Sequence, residues 1–138
     1  MIQIARKKDL NDIFIIEQNV FKDDIFSLSK ACLNYHINKN IVFKVIYENK
    51  TIGYCLWLKR KSYYRLYSFA ILKEYQGKGF ASKLLSFSIE KLKDKSHQLE
   101  VKQSNKKAIL LYEKFGFKKY KILENYYKKE NGYLMRRV

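Results

Sequence analysis

The chain has 138 residues, 47% of them hydrophobic, which is the usual size of one domain with enough apolar material for a buried core. Its 29 lysines and arginines against 13 acids give a net charge of +16, spread along the whole length, which favours an anionic partner such as a phosphorylated cofactor and argues against a dedicated, sequence-specific nucleic-acid stripe. Apolar runs such as Ile13-Phe14-Ile15-Ile16 fall far below the roughly 18 residues of a membrane span, and no signal-peptide pattern opens the chain, so a soluble cytoplasmic protein, a monomer or weak dimer, is expected.

Ile2 to Arg6 reads as a short strand. A helical period then runs from Leu10 through Ile13, Phe14, Ile16 and Glu17 to Phe21, and a second from about Ser27 to Asn38. Two strands follow, Ile41 to Glu48 and Ile52 to Lys59, joined as a hairpin at the Asn49-Lys50 step with Gly53 nearby. Arg65 to Leu72 is a third strand, which leads through a glycine turn into a helix with Phe80, Leu84, Leu85, Ile89 and Leu92 on one face. A strand from Gln98 to Lys102 precedes a helix in which Ala108, Leu111, Tyr112 and Phe115 recur at helical spacing and which stops at Gly116. Two last strands span about Phe117 to Leu123 and Gly132 to Arg137. The order βααβββαβαββ predicts an α/β (α+β mixed) fold, a mixed sheet flanked by helices. With no proline, linker or repeat to mark a boundary, residues 1–138 are expected to form a single domain.

Cys32 and Cys55 are expected as buried free thiols, and the isolated His36 and His97 give no metal-ligand spacing, so no metal is expected. The turn Gln76-Gly77-Lys78-Gly79-Phe80-Ala81, running on to Ser82, is the part that carries chemistry. A strand that passes through two glycines into a helix brings free N–H groups to the positive end of a helix dipole, which is an anion site. Lys73, Lys78 and Lys83 place cations at the same end. Neither a P-loop nor a full G-x-G-x-x-G is present.

Phe69-Ala70-Ile71 followed by Gln76-x-x-Gly79-x-Ala81 resembles the acetyl-CoA signature of the GNAT N-acetyltransferase superfamily. The later block Leu99-Glu100-Val101-Lys102-x-Ser104-Asn105-x-x-Ala108-Ile109-x-Leu111-Tyr112-Glu113-Lys114-x-Gly116-Phe117 is similar to that of the bacterial ribosomal-protein alanine N-acetyltransferases, and Asn125-Tyr126-Tyr127 stands where they carry paired tyrosines. Three departures are visible: Gly77 replaces a basic residue, Ala81 replaces the second glycine, and no proline precedes the turn. The resemblance implies a GNAT-like fold and acetyl-CoA as acetyl donor, without a metal. It implies cofactor contacts from Gln76, Gly77, Lys78, Gly79, Phe80, Ala81, Ser82, Asn105 and Tyr112, with main-chain groups of Phe69 and Ile71 pairing to the pantetheine arm.

Amide formation from a thioester needs a neutral amine, support for a developing oxyanion and a proton for the leaving thiolate. In its strand Glu100 points away from the face of Leu99 and Val101, which would leave a lone carboxylate at a sheet surface. Tyr112 lies on the inward stripe of its helix. The resemblance implies Glu100 as general base and Tyr112 as general acid, with Tyr126 and Tyr127 flanking the acceptor. The expected acceptor is the N-terminal α-amino group of a protein, such as a ribosomal protein. The alternatives are an acetyltransferase for a small amine and a non-catalytic basic module that binds CoA or RNA.

Overall fold

The computed structural model describes residues 1–138. Strands β1 (Ile2–Ile4), β2 (Ile41–Tyr47), β3 (Lys50–Lys59), β4 (Tyr63–Ile71), β5 (Ser96–Lys102), β6 (Lys118–Tyr127) and β7 (Glu130–Arg137) form one sheet in the order β1-β2-β3-β4-β5-β7-β6. Helices α1 (Leu10–Phe21), α2 (Lys30–Lys39), α3 (Phe80–Lys91) and α4 (Lys106–Lys114) complete the expected order. Only β4 and β5 pair in parallel. α3 makes the crossover between them, as a parallel pair requires.

Alternation along β3 shows how the layers sit. Tyr54 reaches Glu17 of α1, and its neighbour Cys55 meets Ser88 of α3 at 3.2 Å. The two helices therefore cover opposite faces of the sheet, and Ile52 to Leu58 is buried throughout, as expected of a strand covered on both sides. The core gathers Ile13, Ile16, Leu33, Trp57, Leu84, Leu85, Leu99 and Met135. No helix is long and apolar enough to cross a membrane.

Several local details differ from the sequence expectation. The β2–β3 turn is made by Glu48 and Asn49, at φ +49° and +62°, instead of by Asn49-Lys50. Two consecutive left-handed residues match the twist of a two-residue hairpin, so β3 begins at Lys50. Gly53 belongs to the strand, where a Cβ would lie 2.4 Å from Ile71 Cδ1; its task is close approach to β4. α2 starts at Lys30 because Ser29 caps it, accepting from the Cys32 N–H at 3.1 Å. In α4 the fully buried residue is Ile109, while Ala108, Leu111, Tyr112 and Phe115 are half-buried, the first three bordering a cleft. Gly116 ends that helix at φ +91°, as the sequence suggests. Cys55 is buried and free, whereas the free Cys32 is only half-buried.

Candidate active site

The cleft begins with one extra residue. Leu56 opposes Ser68 and Trp57 opposes Leu66, so Tyr67 is a bulge in β4. The parallel pairing of β4 with β5 runs from Tyr63–Ser96 to Leu66–Leu99 and ends where that bulge begins. Beyond it β5 stays paired with β7 through Lys102, and β4 stays paired with β3. The strands thus part in a V with β4 unpaired on its open side.

The direction of the free main-chain groups follows from one bond. The Leu72 N–H donates to the Ile52 carbonyl at 2.8 Å. Bonded and non-bonded pairs alternate in an antiparallel ladder, so Phe69 and Ile71 turn their N–H and C=O groups away from β3 and into the V. The Ile71 carbonyl accepts from Gln76 Nε2 at 2.8 Å, which ties the following turn to the end of β4.

Gly77 and Gly79 adopt φ +77° and +89°. Nothing lies within 4 Å of a Cβ built at either position, so the glycines are required by backbone conformation and leave open space in front of the turn. Gly79 is the N-cap of α3 and supplies no side chain, so the N–H groups of Phe80, Ala81 and Ser82 have no helical partner. A cavity of about 410 Å³ opens here, lined by Gln76, Gly77, Gly79, Ala81 and Ser82 on one side and by Asn105, Ala108 and Tyr112 on the other. Lys78 and Phe80 are not among its lining residues: the Lys78 ammonium lies 5.8 Å from the Tyr75 ring centre, and Phe80 packs against Tyr47. Lys73 lines a different opening.

A second cavity of about 590 Å³ lies on the other side of the V and holds Glu100, Arg65, Tyr126 and Tyr127. Phe69, Asn105 and Tyr112 line both. Asn105 caps α4, its Oδ1 accepting from the Ala108 N–H at 3.3 Å. The Tyr112 hydroxyl makes no hydrogen bond to the protein, and its ring packs 5.9 Å from Phe117. Burial holds its pKa well above the ordinary tyrosine value, with Tyr127 adding to the effect.

Glu100 does project from the opposite face to the buried Leu99 and Val101, but it is not a lone carboxylate. Arg65 Nε donates to its Oε2 at 2.8 Å, with the two side chains 24% and 14% exposed. Burial works against the Arg65 charge, but the hydrogen bond and charge of Glu100 outweigh it and hold its pKa above the ordinary arginine value. Arg65 Nη2 also donates to the Tyr126 hydroxyl at 3.3 Å. Tyr126 and Tyr127 lie at the end of β6, past a register break after Leu123, with ring centres 5.0 Å apart. Burial, helped by Tyr126 and Glu100, pushes the Tyr127 phenol up to about 12.

Two groups in this site escape a reading of the sequence. Arg65 joins Glu100 across 35 residues, with only a cation at a strand start as a signal. Glu17 is 1% exposed and accepts from the Tyr54 hydroxyl and, at 2.7 Å, from the Leu28 N–H. Its signal was a carboxylate on the apolar stripe of α1. It fastens the connection between α1 and α2 over the second cavity.

The residues that match a known family include the β4 and β5 strands that part in this V. A family model described as the acetyltransferase (GNAT) family matches residues 7–117. An N-alpha-acetyltransferase of Saccharolobus solfataricus is 39% identical over 114 residues, covering 69% of this chain and 67% of that protein. A ribosomal protein bS18-alanine N-acetyltransferase of Haemophilus influenzae is 42% identical over 92 residues, covering 64% of this chain and 62% of that protein. The chain thus aligns with about two thirds of the length of these two curated relatives. The crystal structure of the ribosomal-protein-S18-alanine N-acetyltransferase from Escherichia coli superposes with a TM-score of 0.90 at 26% identity, covering 99% of this chain and 92% of that one. With its mixed seven-stranded sheet, its parted β4 and β5 and this match over residues 7–117, the chain belongs to the GNAT family of acetyl-CoA-dependent acyltransferases.

Proposed function

We propose that this chain transfers the acetyl group of acetyl-CoA to the N-terminal α-amino group of a protein, such as a ribosomal protein. One observation carries the proposal: two cavities meet at Phe69, Asn105 and Tyr112, with an anion-ready helix start in one and a carboxylate in the other. Bound acetyl-CoA supplies the acetyl group as an activated thioester. The free N–H groups at the start of α3 and the open turn from Gln76 to Ser82 suit its pyrophosphate. The main-chain groups of Phe69 and the N–H of Ile71, turned into the V, offer a strand edge to the pantetheine arm, with the Ile71 N–H to polarise the thioester carbonyl. Asn105 lies within reach of the same arm from its cap position.

In the second cavity Glu100 takes the proton from the acceptor amine, directly or through water, and Tyr112 gives a proton to the departing thiolate. An α-amino group has an ordinary pKa of about 7.7–8.0, against about 10.4 for lysine, so a base at neutral pH has little to remove from an N-terminus and much from a lysine. Tyr126 and Tyr127 flank the entering segment. The shape of the cavity supports a polypeptide acceptor over a small amine: Phe21, Asp24, Phe26, Lys102 and Tyr127 also line a further opening of about 500 Å³, so the space runs on beyond the site of chemistry. The names of the relatives support the same acceptor class, and this activity belongs in the cytoplasm, where ribosomal proteins are made.

The test is release of free CoA thiol when acetyl-CoA meets a peptide with a free N-terminus, the same peptide blocked there but carrying an internal lysine, a panel of small amines, or no acceptor. Turnover confined to the free N-terminus is the expected result. Turnover of small amines alone overturns the acceptor class, and no turnover with retained CoA binding overturns the activity.

A further inference from the structure

We propose that Arg65 is a positioning residue that couples Glu100 to the tyrosine pair at the acceptor entrance, so that orienting the carboxylate and gripping the acceptor become one event. The inference rests on Glu100 and Tyr126 having the roles proposed above.

Arg65 stands at the apex of the V. It is opposite Gln98 in the last stretch of parallel pairing, one residue before Leu66–Leu99 and two before the Tyr67 bulge. Its guanidinium donates from Nε to Glu100 Oε2 at 2.8 Å and from Nη2 to the Tyr126 hydroxyl at 3.3 Å, and it lies 5.4 Å from the Tyr67 ring centre. Three elements thus converge on one planar group. Tyr126 needs such a partner. It falls where β6 has left its register with β7, between Leu123 and Tyr127, and it follows Asn125 at φ +51°. It has no register partner on β7, and the contact with Arg65 spans 61 residues of sequence. Tyr126 in turn meets Tyr127 edge to face.

Only arginine can do this. Its planar fork presents N–H groups in fixed, divergent directions, while the ammonium of lysine is a single point that can satisfy one partner at a time. The carboxylate held on one arm keeps its other oxygen, Oε1, free of any protein partner, and the phenol held on the other arm fixes the first of the two rings past which an acceptor enters.

The experiment measures peptide kcat and KM, with CoA affinity by calorimetry, for Arg65→Met, Arg65→Lys, Tyr126→Phe, Glu100→Gln and the Arg65→Met/Tyr126→Phe pair. R65M should lower peptide kcat/KM by at least about tenfold, the value of a lost charge-assisted hydrogen bond, while CoA affinity stays within about twofold. R65K keeps the charge and stem, so it reports on the fork even if R65M folds poorly, and it should still lose about fivefold or more. Y126F should cost several-fold in the parent and less than about twofold on the R65M background, since the coupling is already gone. Full activity of R65K, or equal cost of Y126F in both backgrounds, overturns the proposal. Impaired E100Q beside unimpaired R65M overturns the coupling alone. Fully active E100Q beside impaired R65M and non-additive Y126F overturns Glu100 as base and supports the tie between Arg65 and Tyr126.

Discussion

Glu100 has one oxygen held and one free: Oε2 accepts from Arg65 Nε at 2.8 Å, and Oε1 has no partner in the protein. Glu100→Gln preserves the bond to Arg65 through the amide oxygen and replaces the free acceptor by an N–H donor. The rate at neutral pH should fall by about 10²–10⁴-fold, the usual worth of a general base. Part of it should return above about pH 8, where an α-amino group is neutral unaided. A kcat profile from pH 6 to 9 decides it, and an unchanged rate with CoA still bound removes Glu100 from the chemistry.

Tyr112 should leave a different signature. Burial raises its pKa, so the phenol keeps its proton throughout the range in which an α-amine is being freed. The sign is therefore fixed: the parent rate should rise as the amine loses its proton and show no phenol-controlled fall below about pH 10. Tyr112→Phe keeps the ring against Phe117 and removes the proton, and raising the pH should not restore its rate. Recovery parallel to that of the Glu100 variant would show that the two residues do not serve separate steps.

At Gly79 two effects add. A β-branched residue at φ +89° is strained by about 1–2 kcal/mol, and it projects into the space in front of the α3 N-terminus. Gly79→Val should weaken CoA binding by well over tenfold, about 1.4 kcal/mol or more. Calorimetry on the folded variant checks it, and unchanged affinity sinks the assignment of the turn to the pyrophosphate.

Away from the cleft, Lys44 Nζ meets Asp9 Oδ1 at 2.7 Å with both side chains under 10% exposed, and Asp9 Oδ2 accepts from the Arg6 N–H at 2.8 Å. Removing one partner of a buried pair strands the other charge, at a cost of about 3–5 kcal/mol. Asp9→Ala should lower the urea midpoint accordingly while peptide KM stays as it was. A loss below about 1 kcal/mol would mean that Lys44 finds water when its partner is gone.

Much of this molecule is legible in its sequence wherever the signal is local. Helical and strand periods place all eleven elements, Asn105 caps α4 three residues before Ala108, Gly116 stops it, and the two glycines before Phe80 mark the turn into α3. Long-range relationships are not legible in this way. The V depends on a single extra residue at Tyr67, whose effect exists only once Leu56 and Trp57 lie opposite. The partner of Glu100 arrives through a parallel crossover, so no spacing announces Arg65. Glu48 and Asn49 form the hairpin turn without a glycine, and Gly53, which drew notice to the region, is needed instead against Ile71.

Two of the rows of main-chain groups that the sheet leaves without a strand are treated in opposite ways. The inner row, on β4, is recessed and open to a ligand. The outer row runs along β6, bonded only to β7, and would serve as a template for a second chain to add itself edge to edge. Lys118, Lys119 and Lys121 crowd that edge, and register breaks after Lys119 and Leu123 bend it. A copy approaching it in register would bring its own lysines against these. The strand carries Tyr120 and Ile122 exposed among them, so charge repulsion, more than polarity, is what guards this side against self-association, and salt should weaken the guard.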